Sequence, residues 1–252
     1  MKKIASKDNP LFKNLSKIGQ SSRERKTSGK TLLDGIHLID SCIGCGWQPE
    51  LIVLKESSLN HPEIAPFLDD DKAVVMSDVL FDKISTVGSP VIALIAVPAE
   101  NADHQPECCV FLDTIQDPGN MGSILRAASA SGATDAFLSE KCADAWSPKV
   151  LRAGMGAHFA IRIHADCDLA EAMQHFEGNT VAMTLNAEQL IFDLDLRGRV
   201  GFVIGNEGAG ISEEILSLAK TRAKIPMPGK IESLNAAQAA SICLFERVRQ
   251  SM

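Results

Sequence analysis

The sequence predicts an α/β protein whose larger part is a parallel sheet covered on both faces. Three observations carry this. From Cys108 onward, short apolar runs rich in β-branched residues alternate with stretches of helical periodicity, joined by short connections. A smaller set of the same alternation precedes it, ending in the apolar run Val91 to Val97. Finally, Val200-Gly201-Phe202-Val203-Ile204 opens into the glycine-rich loop Gly205-Asn206-Glu207-Gly208-Ala209-Gly210, as a buried parallel strand does where it meets a binding crevice.

Taken in order, residues 31–46 read as a helix closed by glycine, 50–55 as a strand and 61–68 as a helix. Residues 72–76 read as a strand, 78–87 as a helix and 91–97 as a strand, which makes 1–98 a small α/β domain. The stretch 99–107 is polar, follows Pro98 and contains a second proline at 106, and has no periodicity, so it reads as a linker. Beyond it come a strand at 108–113, a helix at about 120–131, a strand at 135–139 and a helix at about 147–155. A strand at 158–164, a helix at 168–176 and strands at 180–185 and 200–204 follow. A helix at 212–220, a strand at 223–227 and a long helix from about Ser233 complete a second domain over 108–252. In that last helix Leu234, Ala237, Ser241, Leu244, Phe245 and Val248 follow helical spacing and are expected to pack inward.

Composition excludes several classes. With 252 residues, 45% hydrophobic and 23% charged, the chain is that of an ordinary globular protein able to bury a sizeable core. No apolar run approaches the roughly 18 residues of a membrane helix. Met1-Lys2-Lys3 is followed by polar residues rather than a signal-peptide core, so a cytoplasmic protein without membrane contact is expected. Seven cysteines without disulfide-like spacing read as reduced thiols, and the lone Cys42-x-x-Cys45 reads as structural packing. His158, His164 and His175 have no metal-ligand spacing, and no metal is expected.

The net charge of −7 conceals an asymmetry. Residues 1–30 hold nine Lys or Arg against Asp8 and Glu24, a local charge of +7 that leaves −14 on the remainder. A basic end on an acidic body is a local phosphate-binding surface, or else a solvated terminus; charge alone leaves both open.

Chemistry concentrates in three stretches. In the first, Leu112-Asp113-Thr114-Ile115-Gln116-Asp117-Pro118-Gly119-Asn120 leads from a strand into a helix, with Asn120 placed to cap it and Arg126 six residues on. Arg offers a planar fork suited to phosphate where Lys offers a point charge; the plain alternative is an ion pair with an acidic neighbour. In the second, Gly205-x-x-Gly208-x-Gly210 departs from the G-x-G-x-x-G dinucleotide fingerprint and sits late in the chain, so alone it could be an unliganded strand-to-helix turn. The third is Ile225-Pro226-Met227-Pro228-Gly229 followed by Ser233-Leu234-Asn235.

Together, Asn120-x-Gly122-x-x-x-Arg126, the loop from Val203 to Ile211, and Ile225-Pro226-Met227 with Ser233-Leu234-Asn235 resemble the three motifs of the SpoU (TrmH) family of RNA ribose 2′-O-methyltransferases, in the SPOUT superfamily. They occur in order over 108–252. Residues 1–98 resemble the family's ribosomal L30-like substrate-binding domain in Ser6-x-x-Asn9-Pro10 and Leu33-Asp34-Gly35, with Asp34 where glutamate is usual. Ala236-Ala237 stands where a valine-serine pair is common. The resemblance implies a catalytic domain tied in a deep trefoil knot, with S-adenosylmethionine bound bent inside it. By motif position Thr184, Gly205, Ile225 and Leu234 line the adenosine pocket, while Asn120, Arg126, Glu207, Ser233 and Asn235 form the reacting site. It also implies a homodimer with sites at the interface, where Arg126 can act across it.

On this reading the substrate is RNA, and the added N-terminal domain favours large-subunit (23S-type) ribosomal RNA over tRNA. A guanidinium pKa above about 12 makes Arg126 a phosphate clamp rather than a base, and Glu207 an orienting group. Two rivals stand beside it: a knotted RNA-binding protein without methyl transfer, which loss of Arg126 or Asn235 would have favoured, and a small-molecule nucleotide enzyme, which would leave residues 1–98 without a use.

Overall fold

A computed structural model describes residues 1–98 and 105–252; residues 99–104 of the expected linker lie outside the described residues. The chain forms two compact units, Met1–Ala99 together with Trp146–Phe159, and Glu100–Ala145 together with Ala160–Met252.

The first unit begins with β1 (Lys2–Ile4), α1 (Pro10–Gln20), α2 (Ser22–Ser28), β2 (Lys30–Asp34) and α3 (Ile36–Gly44). It continues with β3 (Leu51–Lys55), a 3-10 turn at Pro62–Phe67, β4 (Ala73–Met76), α4 (Asp78–Phe81) and β5 (Val91–Ala96). The sheet order is β1-β4-β3-β5-β2, with β5 antiparallel to both neighbours. The Asn9-Pro10 pair starts α1: the Asn9 side chain accepts from the Leu11 amide at 2.9 Å, and Pro10 supplies a helical φ where no amide is needed. Phe12, Leu15 and Ile18 then fall on one face and bury against Ile4, Leu32, Val74 and Phe81.

The basic N-terminal stretch is therefore folded, and its charges divide. Arg25 is buried and donates to the carbonyls of Ile18 and Gly19 at 2.7 and 3.3 Å. Lys13 pairs with Asp8, Lys3 with Glu56, and Lys30 with Glu50. Lys2, Lys7, Lys17, Arg23 and Lys26 are exposed as well.

Several local expectations are corrected. Residues 31–34 are strand, not helix: Leu32 and Leu33 are both buried, one on each face of the sheet, and consecutive apolar residues carry no period that separates strand from helix. Gly35, at φ 121°, turns the chain into α3. Pro66 holds 62–67 to a 3-10 turn, and only Asp78–Phe81 of the 78–87 stretch is helical. Cys42 sits in the core with its thiol pushed up to about 11 by burial and then by neighbouring Cys45.

The second unit contains β6 (Cys108–Asp113), α5 (Pro118–Ala130) and β7 (Asp135–Ser139). The next helix, α6 (Pro148–Gly154), belongs to the first unit, where the Thr31 hydroxyl donates to the Trp146 carbonyl at 2.5 Å and Trp47 packs edge-on to Phe159. The second unit resumes with β8 (Arg162–Cys167), α7 (Leu169–His175), β9 (Asn179–Met183), β10 (Gln189–Leu190), β11 (Val200–Gly205), α8 (Glu213–Leu218), β12 (Thr221–Lys224) and α9 (Ala236–Ser251). The expected strand at 158–164 thus starts later, after a 3-10 turn at Ala157–Phe159, and the one expected at 223–227 is Thr221–Lys224.

All seven strands of this sheet are parallel, in the order β10-β12-β9-β11-β6-β7-β8. The chain runs from β6 outward through β7 and β8, then returns to the other side of β6 to lay down β9 and β11. That reversal between β6 and β11 is the switch point at which such sheets bind ligands, outside the strands' carboxyl ends. The last helix packs on α5 and β11 through Ala236, Ala237, Ala240, Cys243 and Leu244. Leu234, expected inward, lies ahead of this helix and is 37% exposed, and Phe245 is 47% exposed because alanines that permit close helix packing set the contact face instead.

The far side of the sheet is held by Asp135, which is 1% exposed. Its carboxylate accepts from Arg162 at 2.8 and 2.7 Å, from His164 at 2.8 Å and from Thr134 at 2.6 Å. Burial pushes this carboxyl up, but the His164, Arg162 and Thr134 hydrogen bonds and the Arg162 charge outweigh it and hold it well below the usual carboxylate range. A depressed folded pKa stabilises above the unfolded value of about 3.9 and is lost as pH falls through the folded one. Asp135→Asn is expected to cost about 3 kcal/mol near neutral pH and to flatten the loss of stability on acidification below pH ~4. Denaturant midpoints measured across pH check both.

Candidate active site

The loop after β11 is shaped by contact with its own strand. A Cβ on Gly205 would lie 2.3 Å from the Gly210 carbonyl carbon and from the Ile211 nitrogen, so only glycine fits. Asn206 and Gly210 exchange two backbone hydrogen bonds of 2.9 Å, closing the loop. The Asn206 side chain then works in both directions. Its oxygen accepts from the Gly208 and Ala209 amides at 2.9 and 3.0 Å, and its nitrogen donates to the Thr114 carbonyl at 2.9 Å. Nearby, buried Asp113 at the end of β6 accepts from the Ser212 amide at 2.8 Å. The loops after β6 and β11 are thus tied together at the switch point.

Asp117, not Asn120, caps α5: its side chain accepts from the Asn120 amide at 2.8 Å and Pro118 occupies the first turn. This frees the Asn120 side chain. Its nitrogen donates to Glu207 at 2.5 Å, and its oxygen accepts from the Asn235 side-chain nitrogen at 2.8 Å. The Asn235 oxygen accepts from the Ala237 amide at 2.9 Å, making Asn235 the cap of α9, which begins three residues later than the expected Ser233. One hydrogen-bond chain therefore joins a residue from each of the three stretches singled out in the sequence.

Arg126 is exposed and has no hydrogen-bond or ion-pair partner among the described residues. Six positions along a helix of 3.6 residues per turn, it faces about a third of a turn away from Asn120, outside the Glu207–Asn120–Asn235 chain. Ser233 is exposed at the mouth of the same region.

Beside the chain lies a crevice of about 430 Å³, within the about 300–1,000 Å³ of small-molecule sites. Thr184, Gly205, Ile225 and Leu234 all border it, as do Met183 and Met227. The walls combine apolar side chains and backbone groups with a few polar side chains, among them Glu207 and Lys224. The Thr184 loop is fixed by its amide donating to the Ala223 carbonyl at 2.9 Å. Such a lining fits a flat nucleoside held by main-chain groups. A crevice of about 510 Å³ at the opposite, amino end of the sheet is bordered by Thr134, Arg199 and Arg247 and by none of these motif residues. Among the described residues no group of three or more His, Cys, Asp or Glu is arranged to hold a metal.

Sequence reasoning missed Asn206, Asp113, Asp117 and Lys224, the last of which also borders the crevice. An asparagine directly after a strand-ending glycine signals a side chain that hydrogen-bonds the backbone two residues on, and Asp-Pro signals a cap. Lys224, at the end of a strand, carries no such local signal.

Comparison with known proteins agrees with this fold. Residues 107–245 match the model of the SpoU rRNA Methylase family, and residues 9–94 match an MRM3-like substrate binding domain. An uncharacterized tRNA/rRNA methyltransferase of Synechocystis is 30% identical, over 98% of this chain and 93% of its own. A 23S rRNA (uridine(2479)-2′-O)-methyltransferase of Streptomyces viridochromogenes is 29% identical, over 96% of this chain and 90% of its own. The crystal structure of the SpoU methyltransferase AviRb from Streptomyces viridochromogenes, in complex with the cofactor AdoMet, superposes with a TM-score of 0.88 at 26% identity, over 96% of this chain and 98% of that one. The resemblance carried by the three motifs is borne out, and the chain belongs to the SpoU rRNA methylase family.

Proposed function

We propose that this protein transfers a methyl group from S-adenosylmethionine to a ribose 2′-hydroxyl of RNA, with large-subunit ribosomal RNA as the substrate. The observation that carries the reading is the Glu207–Asn120–Asn235 hydrogen-bond chain, set at the edge of a nucleoside-sized crevice. A non-catalytic RNA-binding protein would have no use for three motif side chains oriented to one point. Bound in the crevice, the cofactor supplies an electrophilic methyl on a sulfonium.

The chain's own residues then position. Thr184, Gly205, Ile225 and Leu234 hold the adenosine, largely through backbone. Glu207 accepts from Asn120 and so fixes which way that amide points, with its carbonyl oxygen toward Asn235. Asn120, Asn235 and Ser233 face the ribose side. Arg126 clamps the phosphate next to the target ribose and stabilises negative charge developing on the attacking oxygen. It keeps its proton throughout, so the proton of the attacking 2′-hydroxyl passes to solvent water rather than to Arg126.

The enzyme works as a homodimer in the cytoplasm. Leu234 and Phe245, exposed on and beside α9, support an interface there, and an Arg126 turned away from its own chain's site supports action on the partner's. Gathering Thr184, Gly205, Ile225 and Leu234 around one crevice supports the trefoil-knot reading of 108–252. Residues 1–98 present the RNA-binding face, joined through 99–107, with Lys17 and Arg23 exposed for phosphate. Among the described residues no helix is long and apolar enough to cross a membrane.

Labelled methyl groups are expected to enter ribosomal RNA as alkali-resistant dinucleotides, since a methylated 2′-oxygen cannot attack its phosphate. Arg126→Lys is expected to lower turnover about 100-fold with cofactor affinity unchanged; near-wild-type turnover would remove the clamp. Gly205→Ala is expected to weaken cofactor binding at least tenfold and to destabilise by about 2 kcal/mol, read by calorimetry and denaturant melts.

A further inference from the structure

Among the described residues bordering the crevice, Glu207 is the only anion and Lys224 the only cation. Glu207 is engaged by Asn120. Lys224 has no hydrogen-bond or ion-pair partner among the described residues, although it is partly buried beside Met183, Ile225 and Met227. It is the last residue of β12, directly after Ala223, whose carbonyl holds the Thr184 amide, and it pairs in register with Leu190. Its backbone is therefore fixed on the wall assigned to the nucleoside. Lys224 thus brings to this wall a cation with no ion-pair partner among the described residues, suited to a ligand that carries an anion.

The methyl donor brings one. Besides adenosine it carries an amino-acid tail with a cationic sulfonium, a cationic ammonium and an anionic carboxylate. Only the carboxylate complements a lysine. We propose that Lys224 binds that carboxylate and is the residue by which the crevice selects ligands that keep the amino-acid tail over nucleosides that lack it. The proposal rests on the methyl-transfer reading and adds to it a source of cofactor selectivity. Two opposite charges in one crevice also orient the tail: Lys224 draws the carboxylate, while Glu207 favours the cationic portion nearer Asn120.

The test compares two ligands that differ only in the tail. S-adenosylhomocysteine, the demethylated product, carries it; 5′-methylthioadenosine does not. Calorimetry is run on the full-length wild type, Lys224→Met, which keeps most of the apolar stem, and Lys224→Arg, which keeps the charge; Lys224→Gln is the second variant should the first fold poorly. Lys224→Met is expected to weaken S-adenosylhomocysteine about tenfold, the change carried by one partly exposed charge-assisted hydrogen bond. Methylthioadenosine affinity stays unchanged, and Lys224→Arg retains most of the wild-type preference. In the wild type, raising salt weakens the tailed ligand and not the other. Equal weakening of both ligands would overturn the proposal, since Lys224 would then serve the nucleoside or the pocket's shape. No change in either, with RNA affinity reduced, would overturn it in favour of a phosphate contact. A wild type that binds neither ligand would instead overturn the methyl-transfer reading on which the proposal rests.

Discussion

Everything at the switch point depends on a backbone meeting a backbone. Where Gly205 ends its strand, Gly210 and Ile211 return so close that a single Cβ would sit 2.3 Å from them. That contact closes a tight loop, and a closed loop turns its amides inward. Asn206 then satisfies two of those amides and reaches across to Thr114, so the loop after β11 is held against the loop after β6 by hydrogen bonds rather than by side-chain packing. A site built this way is rigid while leaving its concave face open, which suits a ligand recognised through main-chain groups.

The side chains proposed to face the ribose inherit that rigidity. Asn120 and Asn235 sit at or near the starts of α5 and α9, the two helices that pack most extensively on each other, and Glu207 rides on the closed loop. Caps serve twice here. Asp117 holds the start of α5 and thereby frees Asn120, whereas Asn235 caps α9 with its oxygen and hands its nitrogen to Asn120. An amide has distinct donor and acceptor ends, so the chain from Asn235 through Asn120 to the Glu207 carboxylate runs one way only. A carboxylate at its end explains why glutamate stands in a loop otherwise made of small residues.

Charge is distributed by the same logic of pairing. Buried Asp135 is tolerated because Arg162, His164 and Thr134 all donate to it, and buried Arg25 because two carbonyls at the end of α1 accept from it. Three of the nine basic residues of the N-terminal stretch pair with carboxylates and Arg25 is buried, so its excess of +7 overstates what is available to a phosphate. Lys17, Arg23 and Lys26 are exposed on α1 and α2, and Lys224 stands apart as a cation beside the crevice.

The sequence by itself determined the strand and helix alternation beyond Cys108, with β6 and β7 legible to the residue, and it singled out the three stretches that one hydrogen-bond chain joins. These are local properties: a run of buried β-branched residues, a helical period, a glycine that no side chain can replace. It misread residues 31–34, where neighbouring leucines bury on opposite faces, and it placed Asn120 at a helix end because a capping residue looks the same one turn too late. Only the tertiary structure decided that Asn120 meets Glu207 across 87 residues and Asn235 across 115, and that a lysine with no local signal borders the crevice. The reason is physical: strand order in a parallel sheet chooses which loops become neighbours, and no local period encodes that order.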